Sequence, residues 1–353
     1  MLAEKAGAGD GIRVPDDTPS TPPANPVSNL VRREAAKLIP GDAPALDAFL
    51  GAWGGGDAGC PALVWRDAPP DGEAGIARSA APDWCPPWAW CLAPGAKAGP
   101  HPGHAAGRFY LLDLSSVWES LPLAGWVGAR PGRVLDLCAS PGGKTVLAWK
   151  WLRPARIVAN EVVRARLGPL RHNLARLRIP GAFTQGMSVS DWSRAAPAAF
   201  DLVLLDAPCS GQSLPAKGVP NPGCFHPAVV KGNAGRQKSL LGQAAGCVAP
   251  GGHLLYTTCT FSREENEKVV EAFLRRREDW AAVACPALER WRSAHSPHPC
   301  YRLFPHQGAG AGGFTCLLRR AGDPGELPAL DPGLLAWPVA AGVAGAAGPP
   351  NFE

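Results

Sequence analysis

Apolar residues recur with two different periods along the chain, and the switch between them outlines a fold. Short apolar runs bounded by Gly, Pro or charge mark strands: RVLDL (133–137), RIVANE (156–161), FTQGM (183–187), DLVLLDAP (201–208) and HLLYTTC (253–259). Between them, apolar residues fall three and four apart, the spacing of one helix face. One such stretch follows Gly142-Gly143, and a basic one runs to about Ile179, with Pro169 expected to start or kink it. Another spans about 233–248 and ends at Pro250-Gly251-Gly252. Ser262 and Glu265 form a capping-box signature ahead of ENEKVVEAFLRRR, and FTCLLRR (314–320) is a last strand. Strands alternating with helices predict an α/β fold, a Rossmann-like, doubly wound, mostly parallel sheet.

Outside this stretch the pattern weakens. Residues 1–27 are polar and Pro-rich and are expected to be disordered. SNLVRREAAKLI, from Ser28, and ALDAFLGAW both have helical spacing. Residues 53–107 are rich in Gly, Pro and Trp without a period, with Trp84, Trp88 and Trp90 clustered. We therefore read 28–107 as a small helical and irregular N-terminal region, 108–320 as the α/β domain, and 321–353 as a flexible tail.

Composition narrows the partners. The net charge of +5 says little, but Arg108–Arg194 carries 13 Lys and Arg against five acids, Asp113, Glu119, Asp136, Glu161 and Asp191. Such a stretch suits a phosphate backbone, or is simply a solvated helix face. Eleven cysteines with no CxxC pair, behind an N-terminus without an apolar run, predict reduced thiols and no secretory leader. That fits the cytoplasm, or the nucleus or an organelle in a eukaryote. Cys60, Cys85, Cys91, His101 and His104 match no zinc-ligand spacing, so no metal is expected. The uncharged stretch 331–351 is broken by Gly and Pro and predicts no membrane span, and the chain is read as a monomer.

The candidate chemistry lies at the carboxyl ends of the strands, where such sheets bind ligands. After the first strand comes Cys138-Ala139-Ser140-Pro141-Gly142-Gly143-Lys144, neither GxGxxG nor a Walker loop. Its glycines allow close backbone approach, and the next helix offers free N–H groups. Glu161, about 20 residues on, suits the two hydroxyls of a ribose. Together they predict a site for an adenosine-type cofactor. Two neighbouring strand ends carry Asp206-Ala-Pro-Cys209-Ser-Gly and Thr257-Thr-Cys259-Thr-Phe-Ser. A lone free cysteine is usually a small buried filler. Two beside a cofactor loop, with Asp206 three residues before one of them, point to chemistry instead. Carbon 5 of cytosine attacks an electrophilic methyl group only after a thiolate has added at carbon 6 and a carboxyl group has steadied the ring charge. On geometry alone either thiol could attack.

CASPGGKT (138–145), ANE with Arg166-Leu167 (159–167), LLDAPCSG (204–211) and YTTCTFSREENE (256–267) resemble the Sun-type (Fmu/NSUN) family of RNA cytosine-C5 methyltransferases. GRFYLLDLSS (107–116) and RLFPHQGAGAGGF (302–314) match more weakly. The resemblance implies a class I methyltransferase that uses S-adenosylmethionine on RNA, ribosomal RNA rather than transfer RNA by slight preference. It implies that Cys259 attacks, Cys209 helps release the product, and Asp206 contacts the cytosine. Residues 138–144, Glu161, Arg166 and Asp206 would line the cofactor site, with Asp191 the candidate for the adenine-contacting acid, and 28–107 would help bind RNA. Ser213 stands where the family has a second Gly, and Gly312-Gly313-Phe314-Thr315 replaces a DGFF-like block. DNA methylation is disfavoured because DNA enzymes attack with the cysteine of a Pro-Cys motif. A small-molecule or protein methyltransferase has no use for two strand-end thiols. The remaining alternative is a ribosome-assembly factor that keeps the fold with little catalysis, against which stand the intact Lys144, Asp206, Cys209 and Cys259.

Overall fold

Two sheets organise the chain, of which the computed structural model describes residues 27–69, 75–126, 130–335 and 337–339. The disorder expected of 1–26 and the tail beyond Val339 lie outside the described residues. The two N-terminal helical patterns are helices. In α1 (Asn29–Leu38) the Ser28 hydroxyl accepts the Val31 N–H at 3.3 Å, and in α2 (Ala43–Gly55) Asp42 accepts the Ala45 N–H at 2.9 Å. Each cap satisfies a donor that the first helical turn leaves free.

The segment that follows differs from the irregular region expected. β1 (Pro61–Trp65) pairs antiparallel with β2 (Ala89–Cys91), and its other edge pairs with β3 (Phe109–Asp113) beyond a one-turn helix, α3 (Pro102–Ala105). Trp65 packs edge-to-face on Trp90 and Phe109, with centroids 5.0 and 5.3 Å away. A three-residue strand in Pro-rich sequence is too short to show a period, and aromatic burial across the sheet holds it instead. The expected boundary at 107–108 falls just before β3, which belongs to this small sheet. A short helix, α4 (Leu114–Glu119), then leads to the main domain.

The main domain alternates strand and helix: β4 (Arg133–Asp136), α5 (Gly143–Leu152), β5 (Arg156–Asn160), α6 (Arg164–Arg176), β6 (Ala182–Gln185), α7 (Val189–Ala195), β7 (Phe200–Asp206), α8 (Pro227–Gly246) and β8 (Val248–Thr258). After α9 (Glu267–Leu274) come β9 (Trp280–Val283), β10 (Tyr301–Leu303) and β11 (Gly313–Arg320). The sheet order is β10-β11-β8-β7-β4-β5-β6, with β9 also on β11. β4 to β8 run parallel, while β11 is antiparallel to β8, β9 and β10. This is the Rossmann-like fold the pattern predicts. Alternate residues of each strand enter opposite cores: Leu135, Val203 and Tyr256 on one face, Val134, Leu202 and Leu255 on the other. The order reverses between β4 and β7, opening a crevice at their carboxyl ends.

Local expectations change in four places. α8 begins at Pro227, where a His226 ring nitrogen accepts the Ala228 N–H at 3.2 Å, earlier than the spacing suggested. Pro169 lies inside α6 rather than at its start, where its missing N–H leaves the Ala165 carbonyl without its helical donor and its ring crowds that carbonyl. α9 has no capping box, because Glu265 is engaged elsewhere. The tail is docked as far as it is described: Thr184 N–H donates to Trp337 O and Val339 N–H to Ala182 O, both at 2.9 Å, with Leu334 buried. It thereby covers the open edge of β6.

Part of the basic excess between Arg108 and Arg194 turns inward. Lys150 and Arg153 donate to the Arg66 carbonyl at 3.0 and 3.2 Å, Arg171 donates to the Thr184 hydroxyl at 3.0 Å, and Arg176 donates to the Phe109 and His104 carbonyls. Several of these bonds fasten the small sheet to the main domain. At the same seam Gly107 has φ +69°, and a Cβ there would fall 1.7 Å from the Arg176 carbonyl oxygen. We expect Gly107→Ala to destabilise the protein by at least about 2 kcal/mol. Denaturant unfolding reads this as a lower midpoint, and an unchanged midpoint would show that the seam is loose.

Candidate active site

Parallel pairing of β7 with β8 sets Asp206 beside Thr257, and the two chains then leave the sheet together. The Ala207 N–H donates to the Thr257 carbonyl at 2.9 Å, and the Ser213 N–H to the Cys259 carbonyl at 3.1 Å. These bonds bring the sulfurs of Cys209 and Cys259 within 3.2 Å, both as free thiols. The Thr257 hydroxyl donates to Asp206 Oδ1 at 2.8 Å, leaving the carboxyl group about one-third exposed to the crevice.

Glu265, read from sequence as a capping residue, is the clamp of this arrangement. Its buried carboxylate accepts the Ser210 N–H at 2.8 Å, the Ser210 hydroxyl at 2.5 Å and the Gln237 amide at 3.0 Å. The Pro-Cys loop, α8 and the segment after β8 are thus held by one side chain. Burial pushes the Glu265 carboxyl group up, against the pull of these donors.

Lys144, at the end of the cofactor loop, has a second task. Its ammonium is buried, hydrogen-bonded to Glu119 and 3.5 Å from Asp206 Oδ2, so it neutralises two acids. The two carboxylates hold its pKa up despite burial, which acts first and in the opposite direction. Burial pushes Glu119 up to about 7, opposed by Lys144. Glu119 carries no motif signal, since it is the last residue of α4, far from the strand ends in sequence. Gly313 makes room for it: a Cβ there would lie 1.9 Å from Glu119 Oε1.

The thiols titrate apart. The Cys259 thiol is lowered from its ordinary value chiefly because Cys209 donates to it, although burial, Asp206 and Glu119 act against this. Cys209 is raised well above it, first by that same hydrogen bond and then by burial. Of the two thiols, Cys259 is therefore the first to give up its proton, with the Cys209 S–H group as donor to the sulfur that results.

Beside the thiols, the 138–144 loop is braced from below. Ser140 Oγ donates to the Arg166 carbonyl at 2.9 Å, and Arg166 Nη2 returns a bond to the Ser140 carbonyl at 2.7 Å. Asn160 donates to the carbonyls of Leu137 and Met187 at 3.0 and 2.9 Å, tying three strand-end loops together. Cys138 is mostly buried, and burial raises its pKa. A cleft of about 190 Å³ opens here, lined by Tyr110, Ala139, Pro141, Gly143, Lys144 and Asp206 among others.

The residues present fit an adenosyl cofactor. Glu161 Oε1 accepts the Val163 N–H at 2.9 Å, while the buried Oε2 makes no hydrogen bond and has only the Arg166 guanidinium, 3.4 Å away. A ribose diol is the partner it lacks. Asp136 Oδ1 is likewise buried without a partner; its other oxygen accepts from Thr145 at 2.6 Å, and burial lifts the group to about 7. No side chain caps the first turn of α5, so its N–H groups are open to an anionic group. Asp191 is not brought into this set: its carboxylate is bound by Ser188 at 2.6 Å and by Arg194 on its own helix. Among the described residues no group of three or more His, Cys, Asp or Glu could hold a metal ion, and no helix is long and apolar enough to cross a membrane.

Residues 129–319 match the family model described as 16S rRNA methyltransferase RsmB/F. The chain is 32% identical over 256 residues to ribosomal RNA small subunit methyltransferase F of Cronobacter sakazakii, covering 70% of this chain and 52% of that protein. It is 35% identical over 199 residues to the protein of the same name in Klebsiella pneumoniae, covering 55% and 41%. It thus spans about half the length of these curated relatives. In structure it is similar to NSun6 of Pyrococcus horikoshii, with a TM-score of 0.71, 16% identity and 85% and 100% of the two chains covered. A methyltransferase homologue from the same organism gives 0.65, 23%, 83% and 95%. These two share the fold.

Two outcomes test the site. The rate of Cys259 alkylation by iodoacetamide should rise with pH along the thiolate fraction. Cys209→Ala removes the donor, so the profile should move to higher pH, whereas Cys209→Ser keeps an O–H donor and should move it less. Equal profiles in all three proteins would contradict the hydrogen-bonded pair. Glu265→Ala leaves buried donors on Ser210 and Gln237 unpaired and should cost about 3 kcal/mol in equilibrium unfolding; a loss below about 1 kcal/mol would show that the carboxylate is not the clamp.

Proposed function

Because the chain belongs to the RsmB/F family of 16S rRNA methyltransferases, we propose that it methylates carbon 5 of a cytosine in RNA, with Cys259 as covalent nucleophile and S-adenosylmethionine as donor. The observation that carries this reading is the pair of thiols 3.2 Å apart, one lowered and one raised, beside Asp206 and a buried lysine. Glu161, the 138–144 loop and the α5 N-terminus would hold S-adenosylmethionine, which supplies an electrophilic methyl group when bound.

The residues of the chain then divide the work. The target cytosine leaves its stack to enter the crevice. Cys259 thiolate adds to carbon 6, forming a carbon–sulfur bond and making carbon 5 nucleophilic. Asp206, oriented by Thr257 and Lys144, faces N3 and steadies the charge that develops on the ring. Once carbon 5 carries the methyl group, a base removes its hydrogen, the 5,6 double bond re-forms and the carbon–sulfur bond breaks. Cys259 leaves as the thiolate that the Cys209 S–H group stabilises. The hydrogen bond that favours attack therefore also favours release.

The names of the curated relatives favour ribosomal over transfer RNA as substrate. Eleven free cysteines suit the cytoplasm. The small N-terminal sheet and its helices are assigned to RNA binding, and the sheet from β4 to β11 to catalysis. We expect Cys259→Ala to abolish transfer, and Cys209→Ala to accumulate a covalent RNA adduct on a denaturing gel. Bisulfite sequencing of RNA with and without the protein locates the modified cytosine. Activity in Cys259→Ala together with no adduct in Cys209→Ala would reverse the two roles, and cofactor binding with no transfer to any RNA would favour an assembly factor.

A further inference from the structure

Part of the basic stretch that the sequence offers for RNA is committed to internal carbonyls, and a second basic surface opens beside the thiols. A groove of about 720 Å³ runs between α1, α8 and the segment that follows Cys259. Six cations line it: Arg33 and Lys37 from α1, Lys231 and Lys238 from α8, and Arg263 and Lys268. Only two acids do, Glu34 and Glu264, and both are already paired, Glu34 with Arg33 and Lys37, Glu264 with Lys268. Lys231, Lys238 and Arg263 are exposed, with no ion-pair partner among the described residues. Lys231 and Lys238 are two turns apart on α8, about 10 Å along one face.

The groove borders the segment that carries the nucleophile. Ser262 and Gln212 line its wall; Ser262 is three residues beyond Cys259, and the Gln212 carboxamide oxygen accepts the Phe261 N–H at 3.0 Å. Leu38, Phe225 and Val230 add an apolar lining between the cations. At either end the charge continues, through Arg263 to a hollow that includes Arg275, and through Lys238 to one that includes Arg276 and Arg277. Uncommitted cations along an open trough with apolar patches match a single-stranded polyanion with bases, not a small anion in a closed site.

We infer that this groove is the track of the substrate RNA strand, with Lys231, Lys238 and Arg263 contacting successive phosphates while the flanked cytosine turns in toward Cys259. The inference rests on the proposed function and adds the path by which the RNA arrives. It assigns α1 to binding RNA as one wall of the groove, with Arg33 and Lys37 across the groove from α8 while Val31 and Ala35 are buried against α2 and Phe225.

The test compares the full chain with the triple variant Lys231→Ala/Lys238→Ala/Arg263→Ala, using an unmodified 16S rRNA transcript as probe. Filter binding over a series of salt concentrations should show the slope of log affinity against log salt reduced by about 2, since each single-strand phosphate contact contributes about 0.7. The KM for RNA should rise roughly tenfold with kcat at saturating RNA unchanged, because no reacting group is touched. Lys231→Arg/Lys238→Arg should keep the wild-type slope, and Arg156→Ala/Arg164→Ala, on the exposed side of β5 and α6, should leave both slope and KM alone. If the triple variant binds and methylates with the wild-type slope and KM, the groove is not the RNA track and serves another partner, such as an acidic protein. A wild-type chain that methylates but binds with no salt dependence overturns the inference too. A wild-type chain that neither binds nor methylates RNA overturns the proposed function itself.

Discussion

An ammonium withdrawn from water is the constraint around which the rest is arranged. Taking Lys144 out of solvent is repaid only if anions meet it with good geometry. The two that do come from different parts of the chain, Glu119 at the end of α4 and Asp206 at the end of β7. Satisfying the lysine therefore docks α4 on the sheet, and with it β3 and the small N-terminal sheet, since α4 follows β3 directly. It also requires a strand residue without a side chain at Gly313, where any Cβ would displace Glu119. Loss of either acid would leave a buried charge short of a partner, so the seam between the two sheets and the charge state beside the thiols stand or fall together.

The α/β domain was legible because its elements are long and locally consistent: apolar strands, helical spacing and a loop with two glycines after the first strand all pointed to one topology. The small sheet was not, because β2 is three residues long and depends on Trp65, Trp90 and Phe109 meeting across strands rather than on a period along them. The thiols, Asp206, Glu161 and the 138–144 loop announced themselves by position at strand ends. Glu119 and Glu265 did not, since what makes them important is a contact at long range. Glu265 was misread for an intelligible reason: a Ser and a Glu three apart before a helix form a cap only when nothing nearby offers better donors, and the Ser210 loop does.

Charge was misleading in the same way. A count along the chain weights every arginine equally, yet Arg153, Arg171 and Arg176 are directed at oxygen atoms of the protein's own fold. Cations free to meet an external anion also lie at 231, 238 and 263, where no run of basic residues draws attention. They become a surface only when α8 and the segment after β8 pack side by side. Net charge of a segment thus says less about its partners than the number of its cations left without one.

The clamp at Glu265 has a consequence for how this site can change. Its three donors come from a loop and a helix that precede it by 55 and 28 residues, and it belongs to the turn that follows Cys259. None of these segments can drift in sequence or be replaced alone without leaving a buried polar group orphaned. Anyone grafting the two-thiol chemistry onto another scaffold would have to carry the Pro-Cys loop, the Gln237 turn of α8 and the Thr-Cys-Thr segment across as one block, and the cysteines would be its least demanding part.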